Sequence, residues 1–509
     1  MGGGQTALKI DYNATTRSYT LTATGGSETF SPADHVGTDP EPYRSYRHVA
    51  PASVSFFDIG TPSLGSPRTY RYVNGGYWQR NVVAADGGFD IAFYPFAYGL
   101  PTSISQLPHI GSAGYAIDLF GFYTNTASTS GSQVIVGDGS INVDFSLGQL
   151  QLSGSAVSLN LITGALNDRR APFSGVATIA SDGTFSGTLS TFLTDKFAGR
   201  FYGPGAEELG AAFWSDDPAN HFEGTIVGQR ASNVTPTNFL LTELIANQEF
   251  PMFRMLYDYN GRLGYTTDGS YAYITDVNQR DQTITFKQSD RLAGPSSPDY
   301  NAYRTTSNGS DYQLRLAIPG NGNSLIQLHY ASFGELSVLA GPAYDAHASS
   351  GVFRPISDNQ YFIYGLVPTV GVFSAGSGSY SGIVTGRAVN NVDNWSVSGT
   401  SAFNLNFRDG TLTGILRMAG ASLTGGAPLT MPDLAISNGV ANLGTGELQG
   451  QTVLATSAPG YGGLGLFAGQ LYGPSGEELG GIARFELYNI GGTSGSTEVA
   501  AVALAKRTP

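Results

Sequence analysis

Short runs in which apolar and polar residues alternate dominate the chain. Within "GTFSGTLS", which begins at Gly183, Phe185 and Leu189 alternate with Thr184 and Ser186. A period of two places one set of side chains on a buried face of a sheet and the other set on the opposite face. Glycine-rich turns separate such runs, as in "INVDFSLGQLQLSGSAVSLN". The pattern predicts an all-β chain of many hairpins, and it favours closed barrels because closure removes exposed strand edges.

Short sequences recur in the same order in the two halves of the chain. "SYTLTA" at Ser18 has a counterpart in "SYAYIT", and "YGLPT" at Tyr98 returns as "YGLVPT". The clearest pair is "FYGPGAEELGAAF" at residues 201–213 and "LYGPSGEELGGIARF" at residues 471–485. Seven such pairs have offsets from 252 to 277 residues, whereas solenoid repeats span only ~20–50. We therefore predict a duplicated pair of lobes, each with an irregular aromatic part followed by a regular meander.

Composition excludes several classes of function. The 509 residues carry a net charge of −13 without a basic stripe, so nucleic-acid binding is not expected. The chain has no cysteine, which rules out disulfides, thiolate catalysis and cysteine metal sites. No apolar run approaches the ~18 residues of a membrane helix. The segment "FLLTELIANQEF" between the lobes, at residues 239–250, predicts one or two helical turns.

The repeated motif predicts a hairpin between two late strands of each barrel. Its paired carboxylates, Glu207–Glu208 and Glu477–Glu478, raise the question of acid–base catalysis. Retaining glycosidases hold two carboxyl groups ~5 Å apart, but adjacent strand residues point to opposite faces, and in a turn both face water. We expect structural carboxylates, of which at least one caps backbone N–H groups. Small residues such as Gly210, Ala211 and Ala212 are expected to let the strand bend or to admit a close neighbour.

Both copies of this motif resemble the signature of transferrin-binding protein B-like proteins, which are surface lipoproteins of Gram-negative bacteria. The resemblance implies two homologous lobes, each with a handle β-sheet domain followed by an eight-stranded antiparallel β-barrel. On this layout we predict a flexible tether at 1–7, an N-lobe handle at 8–110, an N-lobe barrel at 111–232, an interlobe linker at 233–254, a C-lobe handle at 255–374 and a C-lobe barrel at 375–509.

The resemblance also implies a location and a function. Such proteins are lipid-anchored to the outer membrane at the cell surface, capture a protein or nutrient ligand, often iron or haem, and work with a TonB-dependent outer-membrane receptor. "MGGGQ" resembles their glycine-rich tether with the anchoring cysteine replaced by methionine, so we expect an engineered start on a mature chain; a natural cytosolic tail is the alternative. Two other functions stay open: a direct haem or small-ligand carrier, and a structural or adhesive surface protein.

Candidate chemistry in the sequence is sparse. We find no nucleophile elbow, phosphate-binding loop or metalloprotease motif, so neither an enzyme, a metal site nor a cofactor is expected. Six histidines show no spacing typical of a zinc pair on one element. They are His35, His48, His109, His221, His329 and His347. Axial ligation of a haem by His109 or by tyrosines stays an open alternative.

The strongest signal for binding is aromatic. Residues 43–123 contain 17 Phe, Tyr and Trp residues, whereas residues 124–172 contain one. Within this region, "YRYVNGGYWQR" combines Tyr, Trp and Arg, the residues typical of interface hot spots, with a hairpin-turn signal. The predicted ligand-binding residues are Tyr70, Tyr72, Tyr77, Trp78 and Arg80. Packing of the same hairpin on its own sheet is the alternative. The matching stretch of the second lobe lacks Trp and Arg, so the specific contact is expected in the first lobe.

Overall fold

A computed structural model gives the fold of the chain. The residues it describes are 8–24, 26–37, 44–60, 68–84, 89–125, 132–161, 163–191, 194–215, 217, 219–254, 261–277, 280–294, 297–340, 359–366, 376–390, 393–443, 445–455, 462–488 and 496–508. The predicted tether at 1–7 and His347 lie outside them. The chain divides into two compact units, Met1–Pro236 and Thr237–Pro509, here called the first and the second unit.

The first unit begins with two small antiparallel sheets, which we call its handle. One has three strands: β1 (Lys9–Asn13), β2 (Ser18–Ala23) and β3 (Gly26–Phe30). The other has four strands in sequential order: β4 (Arg44–Ala50), β5 (Ser53–Ile59), β6 (Val73–Val83) and β7 (Phe89–Gly99). Short 3-10 turns occur at Pro32–Asp34 and Ile104–Gln106. Large apolar side chains from both sheets share one core, which includes Leu21, Phe30, Phe57 and Trp78.

The first unit continues into a closed antiparallel barrel of eight strands. They are β8 (Ser112–Asn125), β9 (Gln133–Asp144), β10 (Gln149–Asn160), β11 (Leu166–Ile179), β12 (Thr184–Ser190), β13 (Thr194–Tyr202), β14 (Glu208–Trp214) and β15 (Asn220–Arg230). The barrel closes where β15 pairs with β8, from Asn220 opposite Asn125 to Arg230 opposite Tyr115. Phe185 and Leu189 lie in the barrel core, as the alternation predicts.

The second unit repeats this plan with a larger first sheet. Its eight strands are β16 (Gln248–Arg254), β17 (Gly261–Tyr265), β18 (Tyr271–Val277), β19 (Arg280–Phe286), β20 (Tyr300–Ser307), β21 (Ser310–Ala317), β22 (Ala331–Ala340) and β23 (Asn359–Gly365). A 3-10 turn lies at Gln288–Asp290. Strand β16 pairs with both β17 and β23, so the sheet begins inside the segment predicted as the linker.

A second ring of eight strands follows. Its strands are β24 (Ser377–Val389), β25 (Asn394–Asn406), β26 (Thr411–Ser422), β28 (Leu434–Ala441), β29 (Glu447–Leu454), β30 (Gly462–Tyr472), β31 (Glu478–Tyr488) and β32 (Ser496–Arg507), with the two-residue β27 (Leu429–Thr430) beside β26. Pairing of β24 with β32 and of β25 with β26 completes the ring. The predicted all-β class, with a sheet followed by an eight-stranded barrel in each of two units, is therefore confirmed.

The predicted helical turns at residues 239–250 do not form. The Asn238 side chain closes this loop instead: its Oδ1 accepts the N–H groups of Ile245 (2.7 Å) and Ala246 (2.9 Å). Its Nδ2 donates to the Ala246 carbonyl (2.9 Å). An asparagine side chain thus provides the partners that a helix would have provided from its backbone. Among the described residues, no helix is long and apolar enough to cross a membrane.

Candidate functional site

The second glutamate of each motif copy ties its barrel to the sheet that precedes it. In the first unit, Glu208 opens β14 and is only 2% exposed. Its Oε1 accepts the backbone N–H of Arg71 (2.8 Å), and its Oε2 accepts those of Tyr72 (2.7 Å) and Val73 (2.8 Å). These residues lead into handle strand β6. One carboxylate therefore satisfies three consecutive N–H groups with charge-assisted hydrogen bonds, and we call this arrangement the glutamate clamp.

The second unit contains the same clamp. Glu478 is 1% exposed and accepts the N–H groups of His329 (2.7 Å), Tyr330 (2.9 Å) and Ala331 (2.8 Å) at the start of β22. Burial raises the pKa of this carboxyl to about 6, against the three backbone hydrogen bonds, which lower it. The carboxylate form is therefore the one present at neutral pH, and it is the form that can accept three donors.

The first glutamate of each pair holds the hairpin turn. The Glu207 side chain accepts the N–H of Gly205 (2.8 Å), and the Glu477 side chain accepts that of Ser475 (2.9 Å). The predicted capping of backbone N–H groups is thus confirmed at both copies. The expectation that both members of a pair face water is wrong for Glu208 and for Glu478, because each barrel packs on its sheet at this point. The paired carboxylates bind backbone rather than forming an acid–base pair.

A glycine beside each clamp lets the sheet approach the barrel closely. A Cβ added to Gly210 would lie 2.7 Å from Val73 Cγ2 and 2.8 Å from Ala97 Cβ, both in the handle. At the matching position of the second unit, a Cβ on Gly480 would lie 2.8 Å from Ile363 Cγ2 of the sheet. All three separations are shorter than ordinary carbon contacts. The small residues thus admit a close neighbour, which was one of the two roles expected of them.

Tyr70 and Tyr72, two of the predicted binding residues, lie at the junction between handle and barrel. The Tyr70 hydroxyl donates to Asp118 Oδ2 (2.7 Å) and to the Val227 carbonyl (3.1 Å), both on barrel strands. Burial, followed by the charge of Asp118, raises the pKa of Tyr70 far above its usual range. The Tyr72 ring lies against the motif turn, where a Cβ on Gly203 would come within 2.7 Å of its Cδ2.

Tyr77 belongs to an aromatic cluster that joins β6 and β7 to barrel strand β8. Its ring centroid lies 5.1 Å from those of Phe93 and Phe122 and 5.8 Å from that of Phe120. Phe93 also meets Phe122 edge-on at 4.6 Å. Aromatic pairs at such distances add to the stability of a packed junction.

Trp78 is fully buried in the handle core, with its ring centroid 5.1 Å from that of Tyr94. The guanidinium of Arg80 lies 5.4 Å from the Trp78 ring, and its Nε is 3.7 Å from Glu28 Oε2. Trp78 therefore packs within the handle, as the alternative interpretation of this hairpin predicts. Binding of a ligand by these five residues stays a prediction, and for Trp78 it would require the indole to leave the core.

A groove of the first unit, between β7 and the outer face of the barrel, is a further candidate that the sequence did not single out. Its cavity volume is about 1240 Å³. Aromatic side chains from both sides line it, and so do an arginine, a histidine and a glutamate. Among the lining residues are Phe93, Tyr94, Phe122, Trp214, Arg200, His221 and Glu223. Burial raises the pKa of the Glu223 carboxyl to about 7. We call this cavity the junction groove.

The histidines that the structure describes do not form a metal site together. Among the described residues, no group of three His, Asp or Glu side chains is placed to hold a metal ion. His48 pairs with Asp34 (Nδ1 to Oδ1, 3.0 Å). Burial lowers the pKa of His329, whose backbone belongs to the second clamp.

No protein-family model matches the sequence, and neither does any curated protein. Among solved structures, the chain is similar to transferrin binding protein B of Haemophilus parasuis, with 15% identity over 99% of this chain and 94% of that chain and a TM-score of 0.29. It is similar to the isotype 1 protein of serogroup B Neisseria meningitidis, with 16% identity, 88% and 87% coverage and a TM-score of 0.28. The motif resemblance names the same group of proteins. Such low identities and TM-scores carry no function from those proteins to this chain.

Proposed function

We propose that the chain is a surface lipoprotein of a Gram-negative bacterium that captures a protein ligand and passes its cargo to a TonB-dependent outer-membrane receptor. The observation that carries this proposal is the duplicated motif and the clamp that it builds. The motif is the sequence feature that resembles transferrin-binding protein B-like proteins. Both copies use their second glutamate in the same way, with three backbone N–H groups of the preceding sheet.

The clamp suits a protein that presents a fixed surface. It fixes the orientation of the handle on the barrel, because a buried carboxylate is strongly disfavoured without its partners. Strands and loops of the handle can then meet a partner without a large rearrangement, which favours affinity by preorganisation. We place capture on the first unit, at its handle loops and the neighbouring barrel mouth.

Display of the full chain on cells tests this proposal. The chain is fused to a lipoprotein signal with a cysteine before its glycines and expressed in a Gram-negative host. Cells are incubated with the growth medium or host fluid of the source organism, and retained protein is identified, purified and titrated back onto the isolated chain. Saturable binding of one purified protein is expected, with competition by free chain. A chain that retains no protein but binds haem, with a Soret shift that saturates at one equivalent, contradicts the proposal and supports the haem carrier.

A further inference from the structure

The two junctions between sheet and barrel can be matched residue by residue. The N–H of Arg230 donates to the Glu207 carbonyl, and that of Arg507 donates to the Glu477 carbonyl, each at 2.8 Å. The strand pairings keep this register, since Trp214 lies opposite Glu223 in the first unit and Arg484 lies opposite Ala500 in the second. Glu223 and Ala500 therefore occupy the same position of the two barrels.

In the second unit, the residues beside Ala500 are arginines that pair with carboxylates of the same unit. Ala500 is fully buried, and its cross-strand neighbours are Arg484 on β31 and Arg387 on β24. Arg484 binds Glu498 (2.5 Å), and Arg387 Nη2 lies 3.7 Å from Glu335 Oε1. The second junction thus contains guanidinium groups and the carboxylates that neutralise them.

The first unit has the opposite arrangement. The cross-strand neighbours of Glu223 are Trp214 and Phe122, in place of the two arginines. Directly opposite side chains in an antiparallel sheet lie ~5 Å apart at Cβ, so two aromatic rings flank the carboxyl. Among the described residues, the structure shows no hydrogen-bond or ion-pair partner for it, and burial raises its pKa to about 7. At this position the first junction therefore has a carboxyl group between aromatic rings where the second has guanidinium groups. The Arg68 guanidinium of the first junction is paired with Asp118 instead, and Arg200 is a further lining residue of the groove.

We propose that the junction groove binds an arginine side chain of the captured protein, with its guanidinium on the Glu223 carboxylate and against the Trp214 and Phe122 rings. This deepens the proposed capture function and rests on it. A guanidinium suits the site because it forms two parallel hydrogen bonds to a carboxylate and stacks on aromatic faces.

Size and charge favour a protein segment over a small molecule. The cavity of about 1240 Å³ exceeds the roughly 300–1,000 Å³ of pockets that enclose drug-sized ligands. Its lining also includes Ile91 and Leu161, which are exposed apolar side chains suited to residues that flank an arginine. The net charge of −13 adds a long-range attraction for a basic partner.

A short peptide tests the inference on the full chain. The probe is acetyl-Gly-Leu-Arg-Leu-Gly-amide, titrated at pH 8 by calorimetry, and its matched control contains citrulline, the neutral isostere, in place of arginine. We compare the wild type with Glu223→Gln and with Glu243→Gln, which removes one exposed carboxylate of the second unit. Near-UV circular dichroism establishes that both variants are folded, and Trp214→Phe provides a second variant of the groove.

The arginine peptide is expected to bind the wild type and Glu243→Gln alike, at one peptide per chain. Glu223→Gln and the citrulline peptide should each weaken binding roughly tenfold or more, and Trp214→Phe should weaken it less. Equal binding of both peptides, unchanged affinity of folded Glu223→Gln, or no binding to the wild type overturns the inference. A chain that captures its protein but ignores the peptide leaves the proposed function in place. A chain that binds the peptide but captures no protein contradicts the proposed function and leaves an arginine site in the groove without a captured protein as its source.

Discussion

Replacement of the clamp carboxylate by an amide of the same shape should destabilise the first unit. In Glu208→Gln, the amide oxygen can take the place of Oε2 and accept the N–H groups of Tyr72 and Val73. In the wild type these nitrogens lie 2.7 and 2.8 Å from Oε2. The amide nitrogen then lies where Oε1 accepts the Arg71 N–H at 2.8 Å. Two donors face each other there, so at least one hydrogen bond is lost.

The magnitude follows from the bonds that change. A hydrogen bond to a charged group contributes about 1.5–3 kcal/mol, and a buried donor left without a partner costs about 1–3 kcal/mol. The lower desolvation penalty of a neutral amide offsets part of this sum. We expect a net loss of about 2–4 kcal/mol, which for a unit of this size lowers the melting temperature by roughly 5–15 °C.

Scanning calorimetry of the full chain checks this prediction, with two matched variants beside it. Glu478→Gln makes the same change in the second unit, so it should lower the transition of that unit instead. Glu207→Gln removes only the charge of the group that accepts a single turn N–H, because the amide oxygen can still accept that bond. It should cost less than about 1 kcal/mol. Hydrogen exchange should accelerate at the Arg71 amide in Glu208→Gln only.

Two outcomes contradict the reasoning. One is a Glu208→Gln protein whose melting temperature equals that of Glu207→Gln, which would mean that the buried bonds of Glu208 add nothing beyond the partly buried cap of Glu207. The other is faster exchange that is spread over the whole unit without a local change at Arg71. Ligand capture at temperatures well below the transition should be unchanged, because the amide oxygen can still accept the N–H groups of Tyr72 and Val73 and so keep the handle in place on the barrel.

Further predictions concern the groove and the handle core. Burial raises the pKa of Glu223 to about 7 from a usual 4.5, so the charged form of this carboxyl destabilises the folded state. Below pH 4.5 the carboxyl is neutral and this destabilisation is absent; as the pH rises through 7 the folded state loses stability. Glu223→Gln should therefore raise the melting temperature at pH 8, by the equivalent of up to about 3 kcal/mol, and leave it unchanged at pH 4; equal effects at both pH values would exclude a titrating carboxyl. Trp78→Ala should lower stability by about 3–5 kcal/mol without changing affinity for the captured protein, whereas a roughly thirtyfold loss of affinity at unchanged melting temperature would restore Trp78 as a contact residue.

The sequence predicts the fold well because short local patterns indicate both the strands and the duplication. Alternation identifies strands such as β12, and the repeated motif identifies the same hairpin in both barrels. Prediction from local pattern fails where contacts with residues outside the segment determine its conformation or its role. Residues 239–250 have the composition of a helix, but Asn238 closes them as a loop. Trp78 has the composition of a hot spot, but aromatic residues that fill a core have the same composition.

Glu223 could not have been found from local pattern, because among the neighbours named above only Trp214 is close to it in sequence. Phe122 lies about a hundred residues before it and Phe93 earlier still. Alignment of the two lobes through their terminal arginines does match Glu223 with Ala500. A charged residue at a position that is alanine in the other lobe could have been noticed in the sequence. Its meaning appears only with the strand register, which shows that the neighbouring arginines of one barrel are aromatic in the other.

The two junctions show which of their parts stabilise the fold and which are free to vary. Both contain a glutamate that accepts three backbone N–H groups, and both contain a glycine that admits the sheet. The side chains at the Glu223 and Ala500 positions differ, with the paired arginines Arg387 and Arg484 in the second unit and aromatic rings around a half-buried carboxyl in the first. The clamp and the glycine are common to both junctions, so they hold the sheet on the barrel whichever of those side chains are present. Because of this independence, one copy can retain a carboxylate that weakens its own fold at neutral pH, which is the behaviour expected of a binding group rather than a packing group.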